Sequence, residues 1–407
     1  MMATASESRQ TVNGNVVPLR PNMPKPALAL HSRVLNVGML VGSTTVGSGG
    51  VSEAVRALCL ALYRTGEVRP RVFSLEDDAS PQRDFGPIPV HLAKRRGPLS
   101  FGYAPELSRL VKQHAPDVVH LHGLWMYPSV VSRRWGKKTG KPYVVSPHGM
   151  LDPWALQNSG WKKRLALRLF ETSNMANAAC LHALCESEKD AIAMLGRTAP
   201  VFVLPNGIEK PMPVSGVAEW RRKLPENAKV LLFLGRVTPK KGLLQLIEAW
   251  AGARWQNANW HLVIVGPGHE DHMRDVRSAI RKSDVFDTVH TVGPAYGVER
   301  ALSYASADAF ILPSISEGLP LAPLEALAYG MPALLTPQCN LPETFAAGCA
   351  LEMQPDAASI EAALRLLFQM TEAQRRAMGQ NGRKLVEEHF DWDAVAAQFC
   401  ELYRQIS

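Results

Sequence analysis

The sequence predicts an α/β protein with two doubly wound, parallel-sheet domains that face a cleft. Short apolar runs alternate with helical patterns along most of the 407 residues, which is typical of parallel strands joined by helical crossovers. A cluster of Pro and Gly between 205 and 216 interrupts the alternation, which then restarts. The chain is also longer than a single hydrophobic core usually supports, so two domains are expected.

The first domain is predicted to open with a strand, a glycine-rich turn and a helix. Arg33–Val41 (RVLNVGMLV) is an apolar run, 42–50 (GSTTVGSGG) is rich in glycine, and Val51–Arg64 has apolar residues at helical spacing. This order is the start of a βα unit. Further strands are predicted at Val72–Leu75, Val118–His122, Tyr143–Ser146, Ala179–Ala183 and Val201–Leu204, with helices at Leu107–His114 and Lys162–Asn177.

The alternation after the Pro/Gly cluster predicts a second domain of similar size. Strands are predicted at Lys229–Leu234, His261–Val265, Val289–Val292, Ala309–Leu312 and Ala333–Thr336. Helices are predicted at Gly242–Trp250, Arg300–Ala305, Pro323–Tyr329, Ala358–Phe368, Thr371–Glu388 and Asp391–Ile406. We therefore divide the chain into a disordered lead (1–33), a first domain (34–210), a second domain (211–390) and a C-terminal helix (391–407) that could pack back onto the first domain.

Composition argues against a membrane-spanning protein and a cysteine-based framework, and it leaves the role of a basic first half open. No apolar run approaches the ~18 residues of a membrane span, and the six cysteines form no CxxC pair, so a reducing, cytoplasmic setting is expected. Residues 1–210 hold 26 Lys and Arg against 15 Asp and Glu, whereas the rest of the chain is slightly acidic. A basic first half suits an anionic membrane, a phosphorylated acceptor or nucleic acid, and it equally suits a solvated basic surface.

Two charged loops follow strands of the second domain. Arg236 and Lys241 lie in GRVTPKKG, directly after a strand and before a helix, where cations and helix N–H groups suit a diphosphate. Glu317 and Glu325 lie in the segment after Ala309–Leu312, one on a loop and one within a helix expected to start near Pro323. Carboxylates so placed can bind sugar or ribose hydroxyls. The alternative interpretation of GRVTPKKG is a basic surface turn, and that of Glu317 and Glu325 is a pair of solvated carboxylates.

The first domain offers weaker candidates at its strand ends. Gly49 and Gly50 precede the first helix and let backbone N–H groups approach a phosphate, although Ser52 breaks the GxGxxG pattern. His148 follows a strand in YVVSPHGMLDP and can project into the cleft, although a structural role is the alternative. His120 and His122 alternate with Leu121, share one face of a strand and are interpreted as strand-end or cleft-lining residues.

Two patterns that imitate metal sites are set aside, and no metal site is expected. His269-Glu270-Asp271-His272 has the wrong spacing for HExxH and follows Gly-Pro-Gly in a loop. Asp391 and Asp393 match the Asp-x-Asp pattern of some sugar transferases but stand directly before a helix, where Asp is an ordinary N-cap.

The motifs together resemble the retaining glycosyltransferases of the GT-B fold, family 4, also called glycosyl transferases group 1. The resemblance covers most of residues 34–400. It is carried by Ser48-Gly49-Gly50, DVVHLHGLW, SPHGMLDPWAL, LHALCESE, LPNGIE, LGRVTPKKG and SISEGLPLAPLEALAYGMPALLT. The last is similar to the family's Glu-x7-Glu motif, although Leu319-Pro320-Leu321-Ala322 replaces the Phe-Gly-Leu-Pro of many relatives.

The resemblance implies two Rossmann-like domains and a nucleotide-diphospho-sugar donor held mainly by the second one. Arg236 and Lys241 would neutralise the diphosphate, so neither a divalent metal nor a cofactor is expected. Glu325 would bind the ribose and Glu317 the sugar hydroxyls. Backbone close to the donor would come from Gly49, Gly50, Gly318, Leu319, Pro320 and Leu321. Glu317 and His148 would be the catalytic residues, with Glu317 positioning the sugar and stabilising charge rather than acting as a nucleophile.

The resemblance predicts transfer of the sugar to an acceptor hydroxyl with retention of configuration, in polysaccharide or glycolipid assembly. A saccharide or lipid-linked acceptor is expected. Basic clusters beside Trp135 and Trp161 suit docking on the inner face of the cell membrane, with a solvated basic face as the alternative. A sugar-nucleotide epimerase and a non-catalytic sugar-nucleotide-binding protein remain as alternative functions. Nucleic acid is not expected, because no recognition motif accompanies the basic half.

Overall fold

The computed structural model describes residues 33–77, 80–97, 100–152, 156, 160–196, 199–253 and 259–407. The predicted disordered lead, apart from Arg33, lies outside the described residues. Residues Val34–Ser407 form one compact unit. Within it, two parallel sheets confirm the predicted fold class of two α/β domains.

The first sheet has seven parallel strands in the order β3-β2-β1-β4-β5-β6-β7. They are β1 (Leu35–Val41), β2 (Val68–Leu75), β3 (Val90–Ala93), β4 (Val118–His122), β5 (Tyr143–Ser146), β6 (Cys180–Ala183) and β7 (Val201–Val203). Strand β1 lies between β2 and β4, so the strand order reverses direction there. The reversal opens a crevice at the carboxyl ends of β1 and β4.

The second sheet has six parallel strands in the order β10-β9-β8-β11-β12-β13. They are β8 (Lys229–Leu234), β9 (Trp260–Val265), β10 (Val289–Gly293), β11 (Ala309–Leu312), β12 (Ala333–Leu335) and β13 (Ala350–Glu352). The order reverses between β8 and β11, which pair directly. Helices cover both faces of a doubly wound sheet, and this explains why β8, β9 and β11 are near-continuous apolar runs with buried side chains.

Helices connect the strands of both sheets. In the first part of the chain they are α1 (Gly50–Thr65), α2 (Pro105–His114), α3 (Tyr127–Thr139), α4 (Gly160–Ala166), α5 (Thr172–Ala176) and α6 (Glu186–Ala193), with a π-helical turn at Leu167–Glu171 between α4 and α5. In the second part they are α7 (Leu243–Ala253), α8 (Glu270–Lys282), α9 (Gly297–Ala305), α10 (Leu321–Ala328), α11 (Pro342–Ala346), α12 (Ala357–Gln369), α13 (Glu372–His389) and α14 (Trp392–Ile406).

The C-terminal helix α14 packs on the first sheet and on α1. Phe399 and Tyr403 belong to the same apolar cluster as Leu58 and Leu62 of α1. Asp391 is the N-cap residue, and its carboxylate accepts a hydrogen bond from the backbone N–H of Asp393. The prediction that Asp391 acts as an N-cap is therefore confirmed.

Several elements were not predicted, and one prediction was wrong. Strand β3 is only partly buried and α3 is rich in basic residues, so neither has a strong apolar pattern. The predicted loop around His269–His272 is wrong, because α8 begins at Glu270. Its charged residues hide a narrow apolar face that includes Val276 and Ile280. Among the described residues, no helix is long and apolar enough to cross a membrane.

Candidate active site

The two loops at the reversal of the second sheet lie side by side. The loop after β8 carries Arg236 and Lys241, and the loop after β11 carries Glu317. The backbone N–H of Ile315 donates to the carbonyl of Lys240 at 2.8 Å, so the two loops are joined directly. Ligands of doubly wound sheets bind at this point, where the strand order reverses.

Glu317 forms ion pairs with both lysines of the neighbouring loop. Its Oε1 lies 2.5 Å from Nζ of Lys241 and its Oε2 lies 3.3 Å from Nζ of Lys240. Ser314 donates to Oε1 at 2.6 Å. Burial alone would raise the pKa of Glu317, but the two lysines and Ser314 outweigh it and lower the pKa below its usual value. Glu317 is therefore ionised at neutral pH, in a rigid position.

The backbone around Glu317 is held by a residue that sequence reasoning missed. Asn340 donates through Nδ2 to the carbonyls of Glu317 and Gly318, both at 2.7 Å. Leu319 is buried, Pro320 is the N-cap residue of α10, and Leu321 is its first helical residue. The helix thus begins two residues before the predicted start at Pro323, and the N–H groups of its first turn face the loop.

Arg236 reaches across to the first domain. It is exposed, and among the described residues no ion pair or hydrogen bond to it is found. A Cβ placed on Gly49 would lie 4.0 Å from Nη1 of Arg236. Gly49 has φ 83°, which favours glycine, and it is the N-cap residue of the 16-residue helix α1 that begins at Gly50. A guanidinium and the N-terminus of a helix therefore face one space, which suits an anion.

Glu325 is fixed by two side chains of α9 that the sequence did not point to. Arg300 and Tyr304 both donate to its Oε2, with Tyr304 at 2.6 Å. Among the described residues, Oε1 has no hydrogen-bond partner. Burial raises the pKa of Glu325, and Arg300 and Tyr304 offset part of this rise.

The histidines of the first domain separate into a cleft pair and a core group. His148 lies in the loop after β5, and its Nε2 is 3.0 Å from Nδ1 of His122. His120 is fully buried and bonds Tyr403 of α14 and Ser146 of β5. The interpretation of His120 as a strand-end or cleft-lining residue is therefore wrong, because His120 lies in the middle of β4 and bonds Tyr403 of α14.

The two domains touch around Gly318. Ser316 donates to Asp152 of the loop after β5 at 3.0 Å, and the Sγ of Cys185 lies 3.6 Å from the carbonyl of Gly318. These contacts place the Glu317 loop opposite the loop that carries His148. The structure thus brings Arg236, Lys241, Glu317 and the Gly49–Gly50 turn to the facing edges of the two sheets.

Neither His269–His272 nor Asp391–Asp393 belongs to a cluster of possible metal ligands among the described residues. Across the described ranges, no group of three or more His, Cys, Asp and Glu side chains is placed to hold a metal ion. Asp391 caps α14, and Asp393 pairs with Arg64 of α1 at 2.8 Å.

Comparison with known families matches both halves of the chain. The family described as "Glycosyl transferases group 1" matches residues 217–385, and the "Glycosyl transferase 4-like domain" matches residues 49–207. The chain belongs to the group 1 glycosyltransferases. The predicted family resemblance is confirmed, and the two matched regions meet near the Pro/Gly cluster, between the two sheets.

Curated relatives of this chain are named for different substrates. A GDP-mannose:cellobiosyl-diphosphopolyprenol alpha-mannosyltransferase of Xanthomonas campestris is 27% identical over 59% of the chain and 60% of its own length. An alpha-maltose-1-phosphate synthase of Mycolicibacterium smegmatis is 26% identical over 74% of the chain and 82% of its own length. The chain thus matches less than two thirds of the mannosyltransferase.

Solved structures confirm the GT-B fold of this chain. A sucrose-phosphate synthase from Thermosynechococcus elongatus superposes with a TM-score of 0.76 at 21% identity, over 91% of the chain and 98% of its own. Anabaena HepE, in complex with UDP and glucose, superposes with a TM-score of 0.74 at 19% identity, over 91% of the chain and 100% of its own length.

Proposed function

We propose that this glycosyltransferase moves a sugar from a nucleotide-diphospho-sugar to an acceptor hydroxyl with retention of configuration and without a divalent metal. The observation that carries the proposal is the position of Arg236 beside the N-terminus of α1, with the Lys240–Lys241–Glu317 cluster on the adjoining loop. This arrangement offers one diphosphate the cations of the second domain and the N-terminus of a helix of the first domain. The same charge stabilises the leaving diphosphate as the anomeric bond breaks.

The proposed roles follow the geometry of each group. Arg236 contacts the diphosphate directly, because it is exposed and unpaired among the described residues. Lys241 acts within its ion pair, so it both contributes charge and positions Glu317, which binds the sugar hydroxyls. Glu325 offers Oε1 to the ribose hydroxyls. The departing phosphate accepts the proton of the acceptor hydroxyl.

The donor proposal is tested by binding and turnover. We expect one of UDP-glucose, GDP-mannose or ADP-glucose to raise the thermal midpoint, because a ligand that binds only the folded state stabilises it. With that donor and cellobiosyl-diphosphopolyprenol, the acceptor named for the Xanthomonas relative, nucleoside diphosphate is released and the new linkage keeps the anomeric configuration by NMR. Conversion of the donor into an epimer without such release would contradict the proposal.

Replacement of Arg236 tests the diphosphate site itself. Arg236→Ala is expected to lower kcat by about 10²–10³-fold, as for other fixed electrostatic donors, while the midpoint without ligand stays unchanged. Arg376→Ala is the matched control, because Arg376 is exposed on α13 and pairs only within its own helix among the described residues. Equal activity of the two variants would exclude Arg236 from the site.

We further propose that α4 and the adjoining π-helical turn dock on an anionic membrane that carries a lipid-linked acceptor. Trp161, Leu165 and Leu169 are 64%, 49% and 67% exposed and recur every four residues, so they form one apolar stripe. Exposed Lys162, Arg164 and Arg168 flank the stripe. Apolar side chains bordered by basic ones suit the boundary between lipid headgroups and acyl chains. Trp135, the other tryptophan beside a basic cluster, is buried and belongs to the core.

A further inference from the structure

His122 and His148 form a hydrogen-bonded pair at the first-domain side of the cleft. His122 ends β4, and His148 lies in the loop after β5. His122 Nδ1 is 3.0 Å from His148 Nε2. The other ring nitrogen of His122, Nε2, is buried and has no partner among the described residues. His148 is partly exposed, and its Nδ1 is neither buried nor bonded to any described residue. Nδ1 is therefore the atom of this pair that a ligand can reach.

The backbone holds His148 in this position. His148 has φ 55°, in the left-handed region, and the next residue, Gly149, donates its backbone N–H to Glu188 at 2.5 Å. The same carboxylate accepts the backbone N–H of Leu184 at 2.8 Å. A left-handed φ is uncommon for a residue other than glycine, and here the bonded carboxylate of Glu188 holds the adjoining backbone in place.

The neighbouring histidines cannot exchange a proton with the pair, because their ring nitrogens are all used. The carbonyl of Leu204 can only accept, so His182 donates to it through Nε2 at 2.8 Å. Nδ1 of His182 then accepts from Ser146, whose oxygen accepts from Nε2 of His120, both at 2.6 Å. Nδ1 of His120 accepts from Tyr403 at 2.8 Å. This chain fixes His120 and His182 as neutral rings with the proton on Nε2.

The pair itself is neutral as well. Burial, followed by the nearby imidazoles, lowers the pKa of His122 well below its usual value. Burial, followed by His182, lowers the pKa of His148 to about 3. Each ring therefore carries a single proton, and one ring donates to the other.

Either His148 or His122 can donate the hydrogen bond between the two rings. Only one of these arrangements leaves no buried N–H without an acceptor. If His148 donated, His122 would carry its proton on Nε2, where a buried N–H would have no acceptor. If His122 donates from Nδ1, its Nε2 is an unprotonated acceptor, and orphaned acceptors are more common in proteins than orphaned N–H groups. His148 then receives the bond at Nε2 and keeps its own proton on Nδ1.

We infer that His122 is a positioning residue that fixes the Nδ1–H tautomer of His148, so that His148 donates a hydrogen bond to a substrate oxygen and does not act as a general base. The inference rests on the proposed function for the identity of the substrate. It gives His148 a definite role: a neutral donor that orients a sugar hydroxyl without removing its proton.

Imidazole ¹⁵N spectra of selectively histidine-labelled protein test the tautomer without any substrate. The signals of His148 are assigned by their loss in His148→Asn. We expect His148 to be protonated on Nδ1 in the wild type and in His122→Asn, whose amide N–H can replace Nδ1–H as the donor. His122→Asp can only accept and should move the proton of His148 to Nε2. A wild-type His148 protonated on Nε2 would overturn the inference.

Two isosteric variants of His148 separate a donor from a base. His148→Asn keeps an N–H near the position of Nδ1 and tolerates the left-handed backbone, whereas His148→Asp offers only a carboxylate. We expect kcat of His148→Asn to exceed that of His148→Asp at least tenfold, with thermal midpoints showing that both are folded. Equal values, or a more active Asp variant, would contradict a donor role.

The two readouts keep the inference separate from the proposed function. Turnover is measured as nucleoside diphosphate released from UDP-glucose, GDP-mannose and ADP-glucose. If the wild type turns over none of the three donors, the proposed function fails, and the imidazole spectra still decide the tautomer. If turnover occurs and His148 is protonated on Nε2, the function stands and the role of His122 is wrong.

Discussion

Glu325 depends on side chains that lie outside the Glu-x7-Glu segment. Arg300 and Tyr304 bind the same oxygen, Oε2, and so leave Oε1 turned away from α9. Their spacing of four residues puts both on one face of α9, which faces α10. The carboxylate is therefore already oriented in the free protein, so the proposed binding of a ribose would cost less side-chain entropy.

Removal of the Tyr304 hydroxyl should weaken nucleotide binding. Tyr304→Phe is expected to raise the Kd for the donor nucleotide about fivefold, in line with the ~1 kcal/mol of a typical hydrogen bond. The Tyr304 bond lowers the pKa of Glu325. Its loss should raise that pKa, so nucleotide affinity should start to fall at a higher pH as the solution is acidified.

The measurement is calorimetric titration with UDP, GDP and ADP across a range of pH. Tyr329→Phe is the matched control, because its ring stacks on Tyr304 at 5.4 Å and its hydroxyl contacts only the carbonyl of Met212 among the described residues. If the nucleotide affinity of Tyr304→Phe falls on acidification at the same pH as that of the wild type, Glu325 is not the group that titrates.

The sequence predicted which charged residues come together in the candidate site better than it predicted the residues that hold them. Arg236, Lys241 and Glu317 follow strands, and strand ends of a parallel sheet meet at one edge, so their meeting could be expected from the pattern. The ion pair between Lys241 and Glu317 joins residues 76 positions apart and needs β8 and β11 to be neighbours. Arg300, Tyr304 and Asn340 lie on ordinary helical or turn segments without any local signal.

Elements with strong apolar patterns could be predicted, and those with mixed surfaces could not. Strand β8 is apolar on both faces because helices cover both sides of the sheet, so its run KVLLFL is unambiguous. Helix α8 buries only His272, Val276 and Ile280 among thirteen residues, and its charges hide that face. Strand β3 lies at the sheet edge with one partner and is only partly buried.

Helix α4 and its π-helical turn carry the prediction that belongs to the element scale. The full chain should sediment with vesicles of equal parts phosphatidylglycerol and phosphatidylcholine, and less so at high salt, because screening weakens attraction to anionic lipid. Trp161→Ser combined with Leu169→Ser should lower the bound fraction at least tenfold at low salt, since each buried apolar side chain contributes about 1.5–3 kcal/mol.

The matched control uses an exposed apolar residue elsewhere. Phe286 is 64% exposed, as is Trp161, but it lies between α8 and β10 of the second domain. Phe286→Ser should bind vesicles as the wild type does. Vesicle binding that does not change with salt concentration would contradict docking through α4. So would an equal loss of binding in the double variant and in Phe286→Ser.

At the scale of the whole molecule, the chain passes between the two sheets twice, and the two passages are bonded to each other. The first passage follows β7 and the second follows α13. The backbone N–H of Ile208 donates to the carbonyl of Phe390 at 2.6 Å, and Ile208 and Asp391 form a parallel bridge. Because α14 returns to the first sheet, the core of the first domain includes residues that follow the second domain in sequence. The stability of one domain therefore depends on how tightly the passages fit.

Gly207 tests that fit. A Cβ there would lie 2.8 Å from the Cα of Trp392 and 2.5 Å from its ring. Gly207→Ala must therefore displace backbone as well as a buried indole, and overpacking of this kind costs about 1–3 kcal/mol. We expect a lower thermal midpoint and faster proteolysis in the α14 region. Gly160→Ala is the matched control, since its Cβ would meet no atom of the described residues within 4 Å and Gly160 is the first residue of α4. If both variants melt like the wild type, the two passages are not closely packed, and α14 is not anchored through Trp392.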